Sequence, residues 1–371
     1  MDAVLTGTGG ADGWPQPGCR CASCLRARAA GMQRWPGGVT VDGRLEFRPG
    51  QRAMTGTGSP AAAAHRIDAV PGGWDVTGPD GARLLLAAGP GQVPEPPPAA
   101  GAYDIALLDL LTSPAQLGLL RSAGLVTAQT AVVALYTDHR VSSAAELARR
   151  CALWRVRQGE DGQLVTGPVR QPAGEPRASA SQPRRTLIIG GARSGKSTEA
   201  ELRLSGEPQV TYLAAGPWRS PTSPDGLADA EWAARVARHR VRRPPWWQTV
   251  ESLDVAGCLR QTPGGLLIDG VGTWLAGVMD EAGLWADSVT APAAAEPAAV
   301  VQARIDDLVE AWQQTAAAAV AVTDDVGSGL VPPYPAGRVF RDELGWLNQR
   351  LAAESELVLH LVAGRVTTLP G

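Results

Sequence analysis

Thr186-Leu187-Ile188-Ile189-Gly190-Gly191-Ala192-Arg193-Ser194-Gly195-Lys196-Ser197 decides the fold of the C-terminal half of this 371-residue chain. Its first four residues are the short, β-branched apolar run of a buried strand. Gly190, four residues on, then Gly195-Lys196-Ser197 is the P-loop spacing. In that loop backbone amides cradle phosphates, the lysine reaches the terminal phosphate and the hydroxyl holds magnesium. Residues 197–204 read as a helix stopped at Gly206. Strand, loop and helix in this order aim the helix N-terminus at an anion. Lys196 is the only lysine; the other 33 of the 34 basic residues are arginine. A compact ammonium on a flexible stem slots between phosphate oxygens, as a planar guanidinium fork does not.

Outward from the loop, residues 210–214, 266–269 and 316–323 read as strands, and 357–362 with 365–369 as a terminal strand pair. Residues 298–315 and 338–353 read as helices covering them. Strands alternating with helices imply an α/β fold, a P-loop (RecA-like), mostly parallel sheet flanked by helices with its ligands at the carboxyl edge. Leu266-Leu267-Ile268-Asp269 is an apolar run ending in an acid, the Walker B arrangement. Asp269 is therefore the candidate to hold Mg2+ with Ser197, although an acid also ends a strand where solvent begins.

A second constellation is Arg235-Val236-Ala237-Arg238-His239-Arg240-Val241-Arg242-Arg243, five arginines in nine positions around one of only four histidines. A solvated helix face and a nucleic-acid patch are two readings of such a cluster. A third is chemical. Like-charge repulsion pushes an encircled imidazole toward its neutral, nucleophilic form, and guanidiniums hold phosphates bidentately. On that reading His239 attacks an α-phosphate.

Composition bounds the rest. With 44% hydrophobic residues the chain has material for two ordinary cores, and a formal charge of −3 gives no global pointer to nucleic acid or an acidic membrane. No run reaches about 18 uninterrupted apolar residues, and Met1-Asp2-Ala3-Val4-Leu5-Thr6 is not a basic start to a long apolar segment. The expectation is a cytoplasmic protein without membrane insertion. Residues 166–185, rich in Pro, Ala, Ser and Arg, read as a flexible linker between a domain at 1–165 and one at 186–371. Residues 218–227 and 290–299 read as surface insertions.

Residues 186–371 resemble the bifunctional adenosylcobinamide kinase / adenosylcobinamide-phosphate guanylyltransferases of cobalamin biosynthesis. The matching blocks are the P-loop, then Arg235-Val236 with His239 and Arg243-Pro244, Thr249-Val250-Glu251, and Leu266-Leu267-Ile268-Asp269. They continue with Val322-Thr323-Asp324-Asp325-Val326-Gly327-Ser328-Gly329-Leu330-Val331-Pro332 and Arg338-Val339-Phe340-Arg341-Asp342-Glu343-Leu344-Gly345 with Asn348-Gln349-Arg350-Leu351. The resemblance implies phosphorylation of the hydroxyl on the aminopropanol arm of the corrinoid adenosylcobinamide, with ATP or GTP as donor. GMP transfer from GTP through a guanylyl-histidine then gives adenosylcobinamide-GDP. It implies that Gly190, Gly191, Ala192, Arg193, Ser194, Gly195, Lys196 and Ser197 bind nucleotide phosphates and that His239 carries GMP. Arg240, Val241, Arg242, Arg243 and Glu251 would hold the guanine nucleotide, with Asp269 near the metal. It further implies a homo-oligomer, a trimer, and the charge balance adds the expectation of no nucleic-acid partner. The family often has Asn-Glu before the Val-Gly; here Asp324-Asp325 stand there, and their roles stay open. A nucleotide-binding regulatory protein without group transfer is the alternative, and it has no use for a nucleophile at His239.

In the N-terminal part, Leu5-Thr6-Gly7-Thr8-Gly9-Gly10-Ala11-Asp12-Gly13 and then Gly18-Cys19-Arg20-Cys21-Ala22-Ser23-Cys24 resemble the start of metallo-β-lactamase-fold phosphodiesterases. Those proteins carry a structural zinc on a similar cysteine triad. Cys19, Cys21 and Cys24 suit a tetrahedral metal such as Zn2+ that needs one more ligand, and His139 is the candidate fourth. The strand read at 105–111 runs into Thr112-Ser113-Pro114 without the histidine cluster of a hydrolytic site, and His65 and His139 are the only imidazoles before the linker. Two scattered imidazoles do not make a dinuclear centre. The expectation is a degenerate, noncatalytic metallo-β-lactamase-like α/β domain. Cys151 and Cys258 read as buried apolar residues, and His65 and His360 as incidental.

Overall fold

The computed structural model describes residues 1–48, 54–55, 64–70, 72–87, 101–167, 183–216, 237, 243–284 and 295–370. The chain divides into two compact units, Met1–Ser179 with Ser205–Pro208, and Ala180–Leu204 with Gln209–Gly371.

The first unit holds β1 (Asp2–Gly7), α1 (Ala22–Ala29), β2 (Gly38–Val41), β3 (Leu45–Phe47), β4 (Met54–Thr55), β5 (Arg66–Val70), β6 (Gly73–Thr77), β7 (Arg83–Ala87) and β8 (Ile105–Leu108). It continues through α2 (Ala115–Ser122), β9 (Ala131–Ala134), α3 (Ala144–Trp154), β10 (Arg157–Gln158) and β11 (Leu164–Thr166). One sheet, ordered β11-β1-β2-β3-β4, is antiparallel; the other, β10-β9-β8-β7-β6-β5, is parallel from β10 to β7 and antiparallel beyond. Alternate residues of β1, β2 and β3 (Ala3, Leu5, Val39, Val41, Leu45, Phe47) meet Val76, Leu84, Leu86, Ile105 and Leu107 in one core. The period of two along each strand is what lets two sheets share an interior.

The second unit holds β12 (Arg185–Gly190), α4 (Lys196–Leu204), β13 (Val210–Ala214), β14 (Gln248–Glu251), α5 (Val255–Gln261), β15 (Gly265–Asp269) and α6 (Val271–Glu281). Then come α7 (Ala295–Gln314), β16 (Ala318–Asp324), α8 (Pro335–Ala353), β17 (Leu357–Val362) and β18 (Arg365–Leu369). Its sheet, ordered β14-β13-β15-β16-β12-β17-β18, is parallel except for the β17–β18 pair. This is the mostly parallel α/β architecture expected. The central strands carry mostly apolar residues because both faces are covered. Leu187, Leu266, Ile268, Ala319 and Ala321 pack on α5–α8 through Trp274, Leu275, Ile305, Trp312 and Leu347. On the other face Ile188, Leu267, Val320 and Val322 pack with Ala200 and Leu204 of α4.

Three elements here were not read from the sequence: β14, α5 and α6. Among the described residues no helix is long and apolar enough to cross a membrane.

Candidate functional site

The P-loop sits where β12 ends and α4 begins. Its backbone needs two left-handed residues, Arg193 at φ 56° and Gly195 at φ 101°. Gly190 serves a different end, since a Cβ there would lie 2.5 Å from the Leu361 carbonyl oxygen of neighbouring β17. The loop is pinned from that side too, by the Gly364 amide donating to Ser194 O at 2.9 Å from the β17–β18 turn. Lys196 is buried, and its ammonium donates to Gly190 O at 2.8 Å and Gly191 O at 2.7 Å and pairs with Asp324 Oδ1 at 2.9 Å.

Parallel register brings the other candidates to the same edge. Asp269 at the end of β15 lies level with Ala214 of β13, which is level with Glu251 at the end of β14. Asp324 ends β16 opposite Gly190. Ser197 Oγ donates to Asp269 Oδ1 at 3.3 Å, which brings the loop hydroxyl to the strand-end carboxylate. Two hard oxygens beside a phosphate loop fit Mg2+, which takes one or two protein oxygens and completes its shell with phosphate and water.

Tyr212 was missed in the sequence. Its hydroxyl donates to Asp269 Oδ2, and burial, then the Asp269 charge, push its phenol well above the ordinary tyrosine range. The Arg243 guanidinium lies 3.4 Å from the centre of the same ring and donates to Thr249 Oγ1 at 3.4 Å. One tyrosine thus touches both the β15-end carboxylate that faces the P-loop and the last arginine of the basic cluster. A cleft of about 440 Å³ opens here, lined by Arg243, Pro244, Pro245, Trp247, Thr249 and Glu251. His239, Arg240, Val241 and Arg242 lie outside the described residues.

Asn348, open in the sequence, acts on the edge from α8. Its Oδ1 accepts from Thr323 Oγ1 at 2.6 Å and its Nδ2 donates to Asp324 O at 3.1 Å. The Asp325 amide donates to Gly190 O at 3.2 Å, and its carboxylate accepts from Ser328 at 2.7 Å. His360 Nε2 stands 3.9 Å from that carboxylate.

In the first unit the donor atoms of Cys19, Cys21, Cys24 and His139 all lie within 4.8 Å of one another, the one such group of potential metal ligands among the described residues. Cys21 caps α1 through the Cys24 amide at 3.4 Å, and Cys24 Sγ stands 3.8 Å from His139 Nδ1. Ser23 and Arg26 of α1 hold the carbonyls of Val141 and Ser142, which brings the His139 loop to the helix. Burial raises the Cys24 thiol to about 11, while the Cys24 amide lowers that of Cys21. Three sulfurs and an imidazole fit a closed tetrahedral zinc site.

The strand expected over 105–111 ends at Leu108, because Asp109 turns the chain. It accepts from the amides of Leu111 and Thr112 at 3.1 Å each, and Arg140 pairs with it at 3.4 Å and with Asp138 at 2.8 Å. Cys151 is buried as expected and Cys258 is intermediate. His65 is not incidental: its Nε2 pairs with Asp42 at 2.7 Å.

Comparison with known proteins addresses the second unit. Residues 186–369 match the family model described as cobinamide kinase / cobinamide phosphate guanyltransferase. The chain is 36% identical over 186 residues to the bifunctional adenosylcobalamin biosynthesis protein CobU of Salmonella typhimurium, covering 48% of this chain and 95% of that one. It is 35% identical over 193 residues to the bifunctional adenosylcobalamin biosynthesis protein CobP of Pseudomonas aeruginosa, covering 50% of this chain and 98% of that one. Among solved structures, zinc-bound PqqB from Methylobacterium extorquens aligns over 45% of this chain and 100% of its own at 15% identity, with a TM-score of 0.28, too low to place a fold.

Proposed function

The chain belongs to the cobinamide kinase / cobinamide phosphate guanyltransferase family, and from that premise we propose that it phosphorylates adenosylcobinamide and then joins GMP to the product. In the first step the substrate hydroxyl oxygen attacks the terminal phosphorus of ATP or GTP. The bond to the bridging oxygen breaks, the nucleoside diphosphate leaves and the hydroxyl proton passes to solvent. Gly190 to Ser197 cradle the phosphates and Lys196 neutralises them. Ser197 and Asp269 would hold Mg2+, which when bound supplies further charge neutralisation.

In the second step a neutral imidazole nitrogen of His239 attacks the α-phosphorus of GTP, and pyrophosphate leaves. A phosphate oxygen of adenosylcobinamide phosphate then displaces the imidazole, giving adenosylcobinamide-GDP. Arg240, Val241, Arg242, Arg243 and Glu251 hold the guanine nucleotide, Arg243 and Glu251 from the walls of the 440 Å³ cleft. The observation that carries this reading is the Ser197–Asp269 contact of 3.3 Å beside Lys196, which gathers loop hydroxyl, carboxylate and ammonium at one sheet edge.

Incubation with GTP labelled at the α-phosphorus tests it. Acid-labile, alkali-stable label on the wild type, lost in His239→Ala, is the expected result; an unlabelled wild type, or equal label on the variant, overturns the transferase step.

For residues 1–165 we propose a noncatalytic, metallo-β-lactamase-like module in which Cys19, Cys21, Cys24 and His139 hold Zn2+ as a structural tie. We further place the protein in the cytoplasm, where its nucleotide substrates are, as a homo-oligomer, a trimer, whose mass light scattering would measure.

A further inference from the structure

The ammonium of Lys196 has three N–H donors, and each has an acceptor: Gly190 O at 2.8 Å, Gly191 O at 2.7 Å and Asp324 Oδ1 at 2.9 Å. A lysine so saturated reaches a phosphate only by giving up one of them. The two carbonyls belong to the frame of the loop, and Gly190 O is also held by the Asp325 amide at 3.2 Å. Asp324 differs from both. It is an anionic side chain, 47% exposed, facing the solvent from which a nucleotide arrives. Its Oδ2 stands beside Gly272 in the first turn of α6, 3.3 Å from where a Cβ would be. The carboxylate therefore lies between an ammonium and a helix N-terminus, surroundings that favour an anion.

We propose that Asp324 occupies on Lys196 the position a nucleotide phosphate requires, so that carboxylate and phosphate exclude one another and Asp324 sets nucleotide affinity as a built-in competitor. The inference rests on reading the P-loop as the nucleotide site. Displacement needs only side-chain rotation, because the backbone stays tied by Asn348 Nδ2 on Asp324 O at 3.1 Å and by the Asp325 amide on Gly190 O.

Because Lys196 is the only lysine, protein labelled with [15N]lysine gives a single side-chain ammonium signal that reports on Lys196 alone. Wild type, Asp324→Asn and Asp324→Ala would each be titrated with ATP and with GTP, with magnesium, at low and high salt. Both variants are expected to bind nucleotide about fivefold more tightly at low salt, the equivalent of roughly 1 kcal/mol, for an ion pair whose carboxylate partner is solvent-screened. The gain should shrink as salt rises. Without nucleotide the ammonium signals of wild type and variants should differ; with nucleotide bound they should converge, since Asp324 has then left the lysine. Unchanged or weaker binding in both variants, or signals that stay apart at saturation, overturns the competition while leaving the nucleotide site standing. A wild type that binds neither nucleotide overturns the site reading and this inference together.

Discussion

At the scale of single residues the site turns on shape as much as charge. Lys196 threads between two carbonyl oxygens at 2.8 and 2.7 Å, a gap that admits an ammonium and not a guanidinium fork. Lys196→Arg therefore keeps the charge and loses the function: phosphoryl transfer to adenosylcobinamide is expected to fall on the order of 100-fold, the scale of losing one transition-state donor. A steady-state rate near wild type would contradict the role given to the ammonium. Tyr212 permits a subtler test. Phe in its place keeps the ring under Arg243 and removes only the hydroxyl on Asp269 Oδ2. On the proposed Mg2+ site, the magnesium concentration giving half-maximal kinase rate should rise roughly 10-fold or more, the scale for losing a hydrogen bond to a metal-holding carboxylate, with little change in the rate at saturation.

At the scale of elements, the P-loop depends on strand β17, which pairs with β12 and lies against Gly190. Gly190→Ala would put a methyl 2.5 Å from Leu361 O, a backbone atom that moves only if the β12–β17 pairing opens. Overpacking of this kind costs about 1–3 kcal/mol. Urea denaturation should show that loss with nucleotide affinity impaired as well; a stability equal to wild type would mean that the sheet edge yields freely.

The same scale explains what the sequence hid. Strand β14 (Gln-Thr-Val-Glu) is polar at all but Val250 and mostly exposed, because it is an edge strand whose extended form comes from pairing with β13. Helix α6 buries Val271, Trp274, Leu275, Val278 and Met279 at helical spacing, but it spans only 11 residues and holds Gly272 and Gly277, poor helix formers that mask it in the sequence. By contrast β12, β13 and β15 carry the apolar runs Leu187-Ile188-Ile189, Tyr212-Leu213-Ala214 and Leu266-Leu267-Ile268 inside the sheet, and α7 and α8 are long enough for their period to show.

At the scale of the whole molecule, the first unit offers a test of its own. Cys24 is buried at the start of α1, with its sulfur 3.8 Å from His139 Nδ1. The purified chain is expected to carry about one zinc, and Cys24→Ser to lose most of it, as measured by elemental analysis. Chelation should lower the first melting transition without changing GTP binding by the second unit; zinc retained in full by Cys24→Ser would refute the ligand set.

Sequence alone determined the features that are local in the chain. The spacing of Gly190, Gly195, Lys196 and Ser197, the apolar run into Asp269 and the triad Cys19, Cys21, Cys24 are short-range patterns whose geometry follows from the covalent chain. Chemistry likewise nominated His139 as a fourth ligand. Only the tertiary structure decided how far such groups lie from one another. It brings His139 to Cys24 across 115 positions and Tyr212 to Asp269 across 57, and it closes Asp324 onto Lys196. The physical reason is the sheet itself. Parallel pairing in a strand order unlike the chain order puts the carboxyl ends of β13, β15, β16 and β12 side by side, and no spacing along the chain encodes that neighbourhood.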